Sequence, residues 1–343
     1  MKKLSRKRRG FTLIELMTAT SIMVVLIMFV TNIAVDMLRA YDRTISALAT
    51  NSDARTALDP MEEDLSSAKM FQDGHVWFEA RFEGDVGNIE AASAPEIMVF
   101  AQSRDRVRRR PSTGNQQLPG DLCAISYKLV QKSPFGDSAD SPENQVYGIY
   151  RAVLNAEDTL KVALPYILGA DGKAENEEEQ IPSKFWTSSE QITDPSDEEK
   201  YSPKTWLTGM QNFLADGIVN LTLIFWYDDF TDGKRKIAAV NNPHIVSQLR
   251  QAYPGYTVTT FQKSILAKSD YVIFDDNFSG KKSGALRAVD ISITVLGPDG
   301  KERLMGLQRQ SGSAKIDTEK FEEVIREFGV TFVRSFSLFN SGM

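Results

Sequence analysis

The sequence predicts an α+β fold in which a long N-terminal helix packs on a mostly antiparallel β-sheet. Two observations predict this class. An apolar run from Phe11 to Val35 leads into a stretch in which apolar residues recur every three or four positions, as in an amphipathic helix. Beyond about residue 70 the chain changes to short apolar segments separated by turn residues, as expected for strands. Helical and strand patterns that are segregated along the chain favour α+β.

The run from Phe11 to Val35 predicts a transmembrane helix. Its 25 residues would span about 37 Å as a helix, which is enough to cross a hydrocarbon core of about 30 Å. The first nine residues carry six lysines and arginines and no acid, which predicts a cytoplasmic N-terminus. A secretory signal peptide would have a shorter apolar core and a small-residue cleavage site after it, and neither is found. We therefore expect a single-pass membrane protein.

Net charge argues against general nucleic-acid binding. The formal net charge is −6, and without the six N-terminal charges it would fall to −12. Such an acidic surface would repel phosphate over most of its area. Nucleic acid is therefore not an expected partner.

Glu15 is the only charged residue of the apolar run, and it raises the question of its partner. A carboxylate inside a membrane segment costs about 2.5–3.5 kcal/mol on insertion scales, so a partner is expected. One interpretation places Glu15 at headgroup depth beside the N-terminal arginines. The other pairs it with a positive group of a neighbouring molecule.

The order RRGFTLIE, residues 8–15, closely resembles the class III signal of type IV prepilins and type II secretion pseudopilins. The resemblance implies cleavage by a prepilin peptidase between Gly10 and Phe11, removal of the leader 1–10, and methylation of the new N-terminus at Phe11. It also implies that Thr12, Leu13, Ile14 and Glu15 form the processing and assembly motif. Glu15 would then pair with the Phe11 amine of a neighbouring subunit.

Partners and location also follow from the resemblance. The implied partners are the prepilin peptidase and methyltransferase, other pilin or pseudopilin subunits, an inner-membrane assembly platform and membrane lipid. The N-terminus would lie in the cytoplasm and the transmembrane helix, residues 11–35, in the inner membrane. The globular domain would lie in the periplasm or outside the cell.

Residues 36–70 predict an amphipathic continuation of the same helix. The stripe that would be buried consists of Leu38, Tyr41, Ile45, Leu48, Leu58, Met61 and Leu65. We expect one helix from about Phe11 to Asp59, with one or two further turns beyond Pro60, because proline removes a hydrogen bond and favours a kink or break. Two separate helices are the alternative.

Residues 71–343 predict the globular α+β domain of a pilin. Seven segments have strand patterns, namely residues 75–82, 96–100, 124–130, 147–153, 218–227, 288–295 and 330–333. Asp232-Gly233 and residues 297–300 predict turns. Residues 315–328 predict a helix capped by Asp317 or Thr318.

Two segments of this domain are predicted to be insertions, near residues 171–206 and 241–285. Residues 171–199 contain ten acidic residues against two lysines, which favours a solvated loop. The second segment is predicted to contain a small helix around Pro243 to Ala252.

Within the pilin-like proteins, three stretches are similar to pseudopilin J, a minor component of type II secretion systems. They are residues 55–65, 213–228 and 286–293. The resemblance implies a structural subunit and not an enzyme. The alternatives are a minor pilin of a surface filament used in adhesion, motility or DNA uptake, and an exported enzyme or binding protein tethered by the helix.

Candidate sites outside the N-terminus are few. The basic cluster 104–110 predicts a solvated hairpin loop in preference to a contact with an anionic polymer. Residues 228–233 predict an Asp-Gly turn in preference to a calcium loop, because the ligand spacing of an EF-hand is missing. Cys123 is expected to be a small buried residue. With two distant histidines, His75 and His244, and no catalytic motif, we expect no catalytic residues, no cofactor and no metal site.

Overall fold

The structure is a computed structural model, and its description is confined to part of the chain. The described residues are 12–68, 76–82, 95–102, 107–109, 117–119, 122–132, 146–154, 156, 159, 192–193, 200–201, 210–240, 242–261, 264–268, 271–274, 282–311 and 317–337. Internal contacts divide the chain into two units, Met1–Ala49 and Thr50–Met343.

Helix α1, Leu13–Ser66, is a single helix of 54 residues, about 81 Å long. The prediction of one continuous helix is confirmed, and the alternative of two helices is wrong. Pro60 lies inside α1, and the helix continues past it. Proline inside a helix costs one backbone hydrogen bond. The burial of the neighbouring apolar side chains of Leu58 and Met61 stabilises these turns and offsets that cost.

In the first unit, the described residues all belong to α1 or to its start at Thr12. Their large apolar side chains are exposed, from Leu13 at 79% to Val35 at 38%. By length and composition, α1 is the one helix among the described residues that is able to cross a membrane. The candidate transmembrane helix predicted from the sequence is therefore present.

In the second unit, the end of α1 forms part of the main hydrophobic core. Its buried residues there include Ala54, Ala57, Leu58, Met61 and Leu65. The predicted amphipathic stripe is thus divided between the units. Its later members are buried, whereas Leu38, Tyr41, Ile45 and Leu48 remain exposed because no other described element of the first unit covers them.

The second unit is built on a sheet of 12 strands. Its strands are β1 Phe78–Phe82, β2 Pro95–Ala101, β5 Cys123–Lys132, β6 Val146–Leu154, β9 Phe213–Asp216, β10 Ile218–Asp229, β11 Arg235–Val240, β12 Val258–Phe261, β13 Ser264–Ala267, β14 Val272–Phe274, β15 Gly284–Leu296 and β16 Gly329–Ser337. Two further pairs form small separate sheets, β3 Val107–Arg109 with β4 Gln117–Pro119, and β7 Ile192–Thr193 with β8 Lys200–Tyr201.

The strand order is β12-β11-β10-β15-β14-β13-β1-β2-β5-β6-β9, and β16 also pairs with β15. Among the described strand pairs of this sheet, β11 and β12 alone are parallel. The predicted class, a long helix with a mostly antiparallel sheet, is therefore confirmed. The segment 241–285, predicted as an insertion, contains β12, β13 and β14, and the last two connect β15 to β1.

Gly217 joins two distant parts of this strand order. It is the single residue between β9, which pairs with β6, and β10, which pairs with β15. Its φ of 72° lies in the left-handed region that favours glycine. Its N–H donates to the Tyr147 carbonyl and its carbonyl accepts from the Leu296 N–H, both at 2.8 Å. This bend lets the chain pass directly from β9, at one end of the strand order, to β10, which lies between β11 and β15.

Three helices pack against the sheet, α2 Pro243–Ala252, α3 Pro298–Ser311 and α4 Thr318–Phe328. Helices α2 and α4 lie where the sequence predicts helices, and the Asp317 carboxylate caps α4 by accepting from the Glu319 N–H at 3.1 Å. The predicted turn at residues 297–300 is wrong, because Pro298 occupies the first position of a helix, where a missing N–H costs nothing.

Some sequence predictions fall mostly outside the described residues. The acidic segment 171–206 is described only at β7 and β8, and the basic segment 104–110 only at β3. His75 lies outside the described residues. Cys123 begins β5 and is fully buried, as predicted.

Candidate functional site at the two ends of the long helix

Thr12 and Glu15 form a reciprocal cap at the start of α1. The Glu15 carboxylate accepts from the Thr12 backbone N–H at 3.0 Å and from the Thr12 hydroxyl at 2.9 Å. The Glu15 N–H in turn donates to the Thr12 hydroxyl at 3.3 Å. This is a capping box, in which a threonine and a glutamate three residues later satisfy backbone donors that the helix leaves unpaired. The carboxylate therefore has hydrogen-bond partners within its own chain.

The hydroxyl groups that follow are also satisfied inside α1. The side chains of Thr18, Thr20, Ser21 and Thr31 each donate to a carbonyl three or four residues earlier, at 2.8–3.0 Å. Such bonds remove the cost of placing a hydroxyl in an apolar surrounding. This part of the helix thus offers an apolar surface that fits lipid or another helix.

The predicted cleavage site lies just before this cap. Gly10 and Phe11 are outside the described residues, whereas Leu13 and Ile14 of the motif are exposed on the first turn of α1. The structure therefore brings together Thr12 and Glu15 of the predicted site residues.

The other end of α1 is attached to the sheet by a buried ion pair. Arg151 on β6 donates through Nε and Nη2 to the two carboxylate oxygens of Asp64, each at 2.8 Å. The Tyr127 hydroxyl on β5 also donates to Asp64 and accepts from Arg151 Nε at 2.9 Å. Asp64 is 1% exposed, so a bidentate, fully bonded geometry is required to compensate its burial.

The surroundings of Tyr127 in this cluster change its pKa. Burial, followed by the negative charge of Asp64, raises the pKa of Tyr127 well above its usual value of 10.0. The neutral hydroxyl therefore remains a donor to Asp64 across the physiological range. The three side chains fix the last turns of α1 against β5 and β6.

A second attachment joins α1 to the bend at Gly217. Lys301 on α3 donates to Asp53 on α1 at 2.7 Å and to Asp216 on β9 at 2.9 Å. Burial acts to lower the pKa of Lys301, but the hydrogen bonds and negative charges of Asp53 and Asp216 outweigh it, so the pKa is raised. One cation thus links three elements of the second unit.

Sequence reasoning did not identify these attachment residues, although a signal was present. Asp64 follows Met61 by three positions and precedes Leu65, so the helical period places it on the buried face. Arg151 likewise lies on the same strand face as Ile149 and Val153, in a strand that is buried along most of its length. A charged residue at a predicted core position indicates a buried partner.

The residues 228–233 form the Asp-Gly turn that the sequence favours, with Gly233 at a φ of 65°. The turn carboxylates are occupied by cations, since Lys236 lies 2.7 Å from Asp229 and 3.1 Å from Asp232. The hydrogen bond from Lys236, followed by one from the Thr231 backbone, lowers the pKa of Asp229 to about 2. In the part of the chain that the structure describes, no group of three or more His, Cys, Asp or Glu residues is arranged to hold a metal.

Comparison with known proteins bears on the N-terminus. Residues 5–31 match the prokaryotic N-terminal methylation motif. The match includes the capping box and the predicted cleavage site. The N-terminus is therefore of the prepilin type, and it begins a helix of membrane-spanning length followed by an antiparallel sheet domain.

Matches beyond the N-terminus are weak. No curated protein matches the chain. Among solved structures, a type IV-like pilin from Thermus thermophilus matches at 6% identity over 89% of this chain and 98% of the pilin, with a TM-score of 0.27. At this TM-score, no property of that pilin is carried over to this chain.

Proposed function

We propose that the chain is a structural subunit, a minor pilin or pseudopilin, that is cut after Gly10 and assembled through α1 into a filament. The observation that carries the proposal is the prepilin-type motif, residues 5–31, on a helix whose apolar side chains are exposed. Exposed apolar surface of this extent needs lipid or other subunits to cover it. The prepilin peptidase, lipid, an inner-membrane platform and other subunits are the proposed partners.

The capping box gives Glu15 two successive roles in this proposal. Before cleavage, the carboxylate is held by Thr12, which lowers the cost of placing it near the membrane. Cleavage creates a free amine at Phe11, directly before Thr12. In the filament, that amine on a neighbouring subunit becomes the partner of Glu15, and the N-terminal helix dipole favours the carboxylate further.

The buried attachments at the other end suit a mechanical role. Asp64 and Lys301 connect the last part of α1 to the sheet through charged hydrogen bonds that resist separation. A force applied to α1 would therefore reach the globular unit through these contacts.

Similarity to pseudopilin J favours a secretion pseudopilus within this class. The stretches that resemble it, residues 213–228 and 286–293, form β9, β10 and β15, of which β10 and β15 pair along most of their length. Deletion of the gene should then reduce secretion of folded proteins. Normal secretion with loss of adhesion, motility or DNA uptake would favour a surface filament.

The N-terminal residue of the mature protein tests the proposal. In a host with prepilin peptidase, mass spectrometry should find N-methyl-phenylalanine at Phe11 in a protein of 333 residues, ten fewer than the full 343. The variant Gly10→Glu should remain uncut, because a bulky side chain clashes where glycine lets the extended backbone enter a protease site. An unprocessed Met1 in the unaltered protein would contradict the proposal.

The tethered-enzyme alternative has its own test. The neighbouring carboxylates of the Asp-Gly turn, Asp228, Asp229 and Asp232, are bonded to lysine or arginine and are unsuited to acid–base exchange. Substrate turnover by the purified full chain would nevertheless favour that alternative over a structural subunit.

A further inference from the structure

A groove on the second unit combines aromatic rings with fixed hydrogen-bonding groups. Its lining includes Trp226 on β10, Tyr253 and Tyr256 after α2, and Arg235 and Arg287 on β11 and β15. We propose that this groove binds a neutral saccharide chain. The inference is independent of the filament proposal, because none of these residues takes part in the attachments of α1.

The aromatic rings are held in place without a ligand. The Trp226 ring lies 5.2 Å from those of Tyr253 and Tyr256, at interplanar angles of 88° and 89°. Its indole N–H donates to Asp290 Oδ2 at 2.6 Å, which fixes the ring plane. Tyr256 remains 44% exposed at the surface of this cluster. Fixed aromatic faces provide contact area at low entropic cost.

The two arginines are oriented by one carboxylate. Asp228 accepts from Arg235 Nε at 3.0 Å and from Arg287 Nε at 2.7 Å. No other described group bonds to either guanidinium, so their terminal nitrogens are free donors in fixed positions. Rigid donors beside aromatic faces are suited to binding oxygen atoms of a ligand.

Asp290 supplies the complementary acceptor. The residue is only 5% exposed, yet it lines the groove and uses a single carboxylate oxygen, Oδ2, to bind Trp226. Oδ1 has no partner among the described residues. Because Asp290 lines the groove, Oδ1 is available to accept a hydrogen bond from a ligand bound there. A ligand hydroxyl would supply that bond.

The charges of the groove select the class of ligand. Arg235 and Arg287 are balanced by Asp228 and Asp290, and the chain as a whole carries a net charge of −6. A nucleic acid would find no net positive charge here to neutralise its phosphates. A sugar ring fits better, since its C–H face packs on an aromatic ring, its oxygens accept from guanidinium and its hydroxyls donate to carboxylate.

Binding of neutral oligosaccharides to the full-length protein tests the inference. The protein is solubilised in a detergent with a polyoxyethylene headgroup, so that no sugar competes. The probes are hexasaccharides of α-linked glucose, β-linked glucose and N-acetylglucosamine, followed by tryptophan fluorescence and ligand-observed NMR. We expect saturable binding of at least one probe at millimolar concentration or below, weakened about tenfold by Tyr256→Ala and by Arg287→Met.

Phe230→Ala is the matched control, because Phe230 is an exposed aromatic residue, 57% accessible, in the neighbouring turn and does not line the groove. It should leave saccharide binding unchanged. Absence of binding for all three probes would overturn the inference. It would also be overturned if Tyr256→Ala and Arg287→Met bound the saccharide as tightly as the unaltered protein does and unfolded at the same midpoint. Stronger, salt-dependent binding of oligothymidylate would overturn it in favour of single-stranded nucleic acid.

Discussion

Apolar side chains of the same types on α1 are exposed in the first unit and buried in the second. Met17 and Leu16 in the first unit are 59% and 62% exposed, whereas Met61 and Leu58 in the second are 0% and 3% exposed. Burial is therefore decided by what covers a side chain and not by its hydrophobicity. The second unit supplies that cover from its own sheet. The first unit requires lipid or other chains, which is the arrangement expected of a subunit that assembles.

The two acidic residues at the ends of α1 show the same contrast. Glu15 is held by hydrogen bonds from its own first turn, whereas Asp64 is held by Arg151 and Tyr127 from distant strands. The first arrangement leaves the carboxylate accessible to a new partner. In the second arrangement, the carboxylate is buried and already bonded within the fold. Substitutions at the two positions should therefore affect different properties, assembly at one end and stability at the other.

The largest effect is expected at Glu15. Glu15→Val should abolish incorporation into filaments while leaving unfolding of the second unit unchanged, because Glu15 forms its cap with Thr12 of its own helical turn. Immunoblots of sheared filaments and thermal unfolding of the purified protein measure the two properties. Glu15→Gln is the matched control, since glutamine also completes a capping box but carries no charge. Normal assembly of Glu15→Gln would show that the cap suffices and would contradict pairing with the Phe11 amine.

Arg151→Met should have the opposite effect to Glu15→Val, because it should greatly reduce stability while N-terminal processing stays correct. It leaves Asp64 buried without its cation, which costs about 3–5 kcal/mol in unfolding free energy. Denaturant unfolding of the purified chain measures the loss. The double variant Asp64→Leu with Arg151→Met should recover much of it, because no unpaired charge remains. A double variant as unstable as the single one would indicate that packing, and not charge, explains the effect.

Lys301→Met should have a smaller effect of the same kind, about 1–2 kcal/mol, because the side chain is 23% exposed and water partly screens Asp53 and Asp216. Denaturant unfolding again measures the change. Lys320→Met on α4 is the control, since that exposed lysine makes no ion pair with a described residue. Equal effects of the two variants would remove the reason for regarding Lys301 as an attachment.

Alkaline pH should loosen the Asp64 cluster. The pKa of Tyr127 is raised in the folded state, so above about pH 10.0 the unfolded chain loses a proton that the folded chain retains. Stability is therefore full below pH 10 and falls as the pH rises beyond it. The pKa values of Tyr150 and Tyr227 are also raised, mainly by burial, and add to the fall. Tyr127→Phe should flatten the dependence of unfolding free energy on pH, and an unchanged slope would contradict this assignment.

The smallest effect is expected at Arg334, which bonds to Asp59 at 2.7 Å and to Glu62 at 2.5 Å on an exposed face of α1. Arg334→Met should change unfolding free energy by about 0–1 kcal/mol, and added salt should reduce the difference further. Comparison with Arg151→Met, measured in the same denaturant series, separates exposed from buried ion pairs on one helix. A loss at Arg334 as large as that at Arg151 would contradict the distinction.

Local chemistry was predictable from the sequence wherever the signal was periodic or complete within a few residues. The apolar run, the cap at Asp317 and the Asp-Gly turn all lie where predicted. The predicted stripe is buried only at its end, from Leu58 to Leu65. The helix at Pro298 was missed because a Gly-Pro-Asp-Gly string also suits a turn, and only its packing on the sheet decides between them. Strands β13 and β14 have four and three residues, too few to show alternation.

The N-terminal motif, the extent of α1 and the class of the fold could all be predicted from the amino-acid sequence, because each depends on residues close together in the chain. The folded chain was needed to show where α1 becomes buried, which strands form the sheet, and that Asp64, Tyr127 and Arg151 are in contact. Those outcomes depend on contacts between residues far apart in the chain, 87 positions for Asp64 and Arg151 and 248 for Asp53 and Lys301. Strand order and register determine which buried charges lie close enough to pair. Such a long-range contact therefore depends on the geometry of the whole sheet.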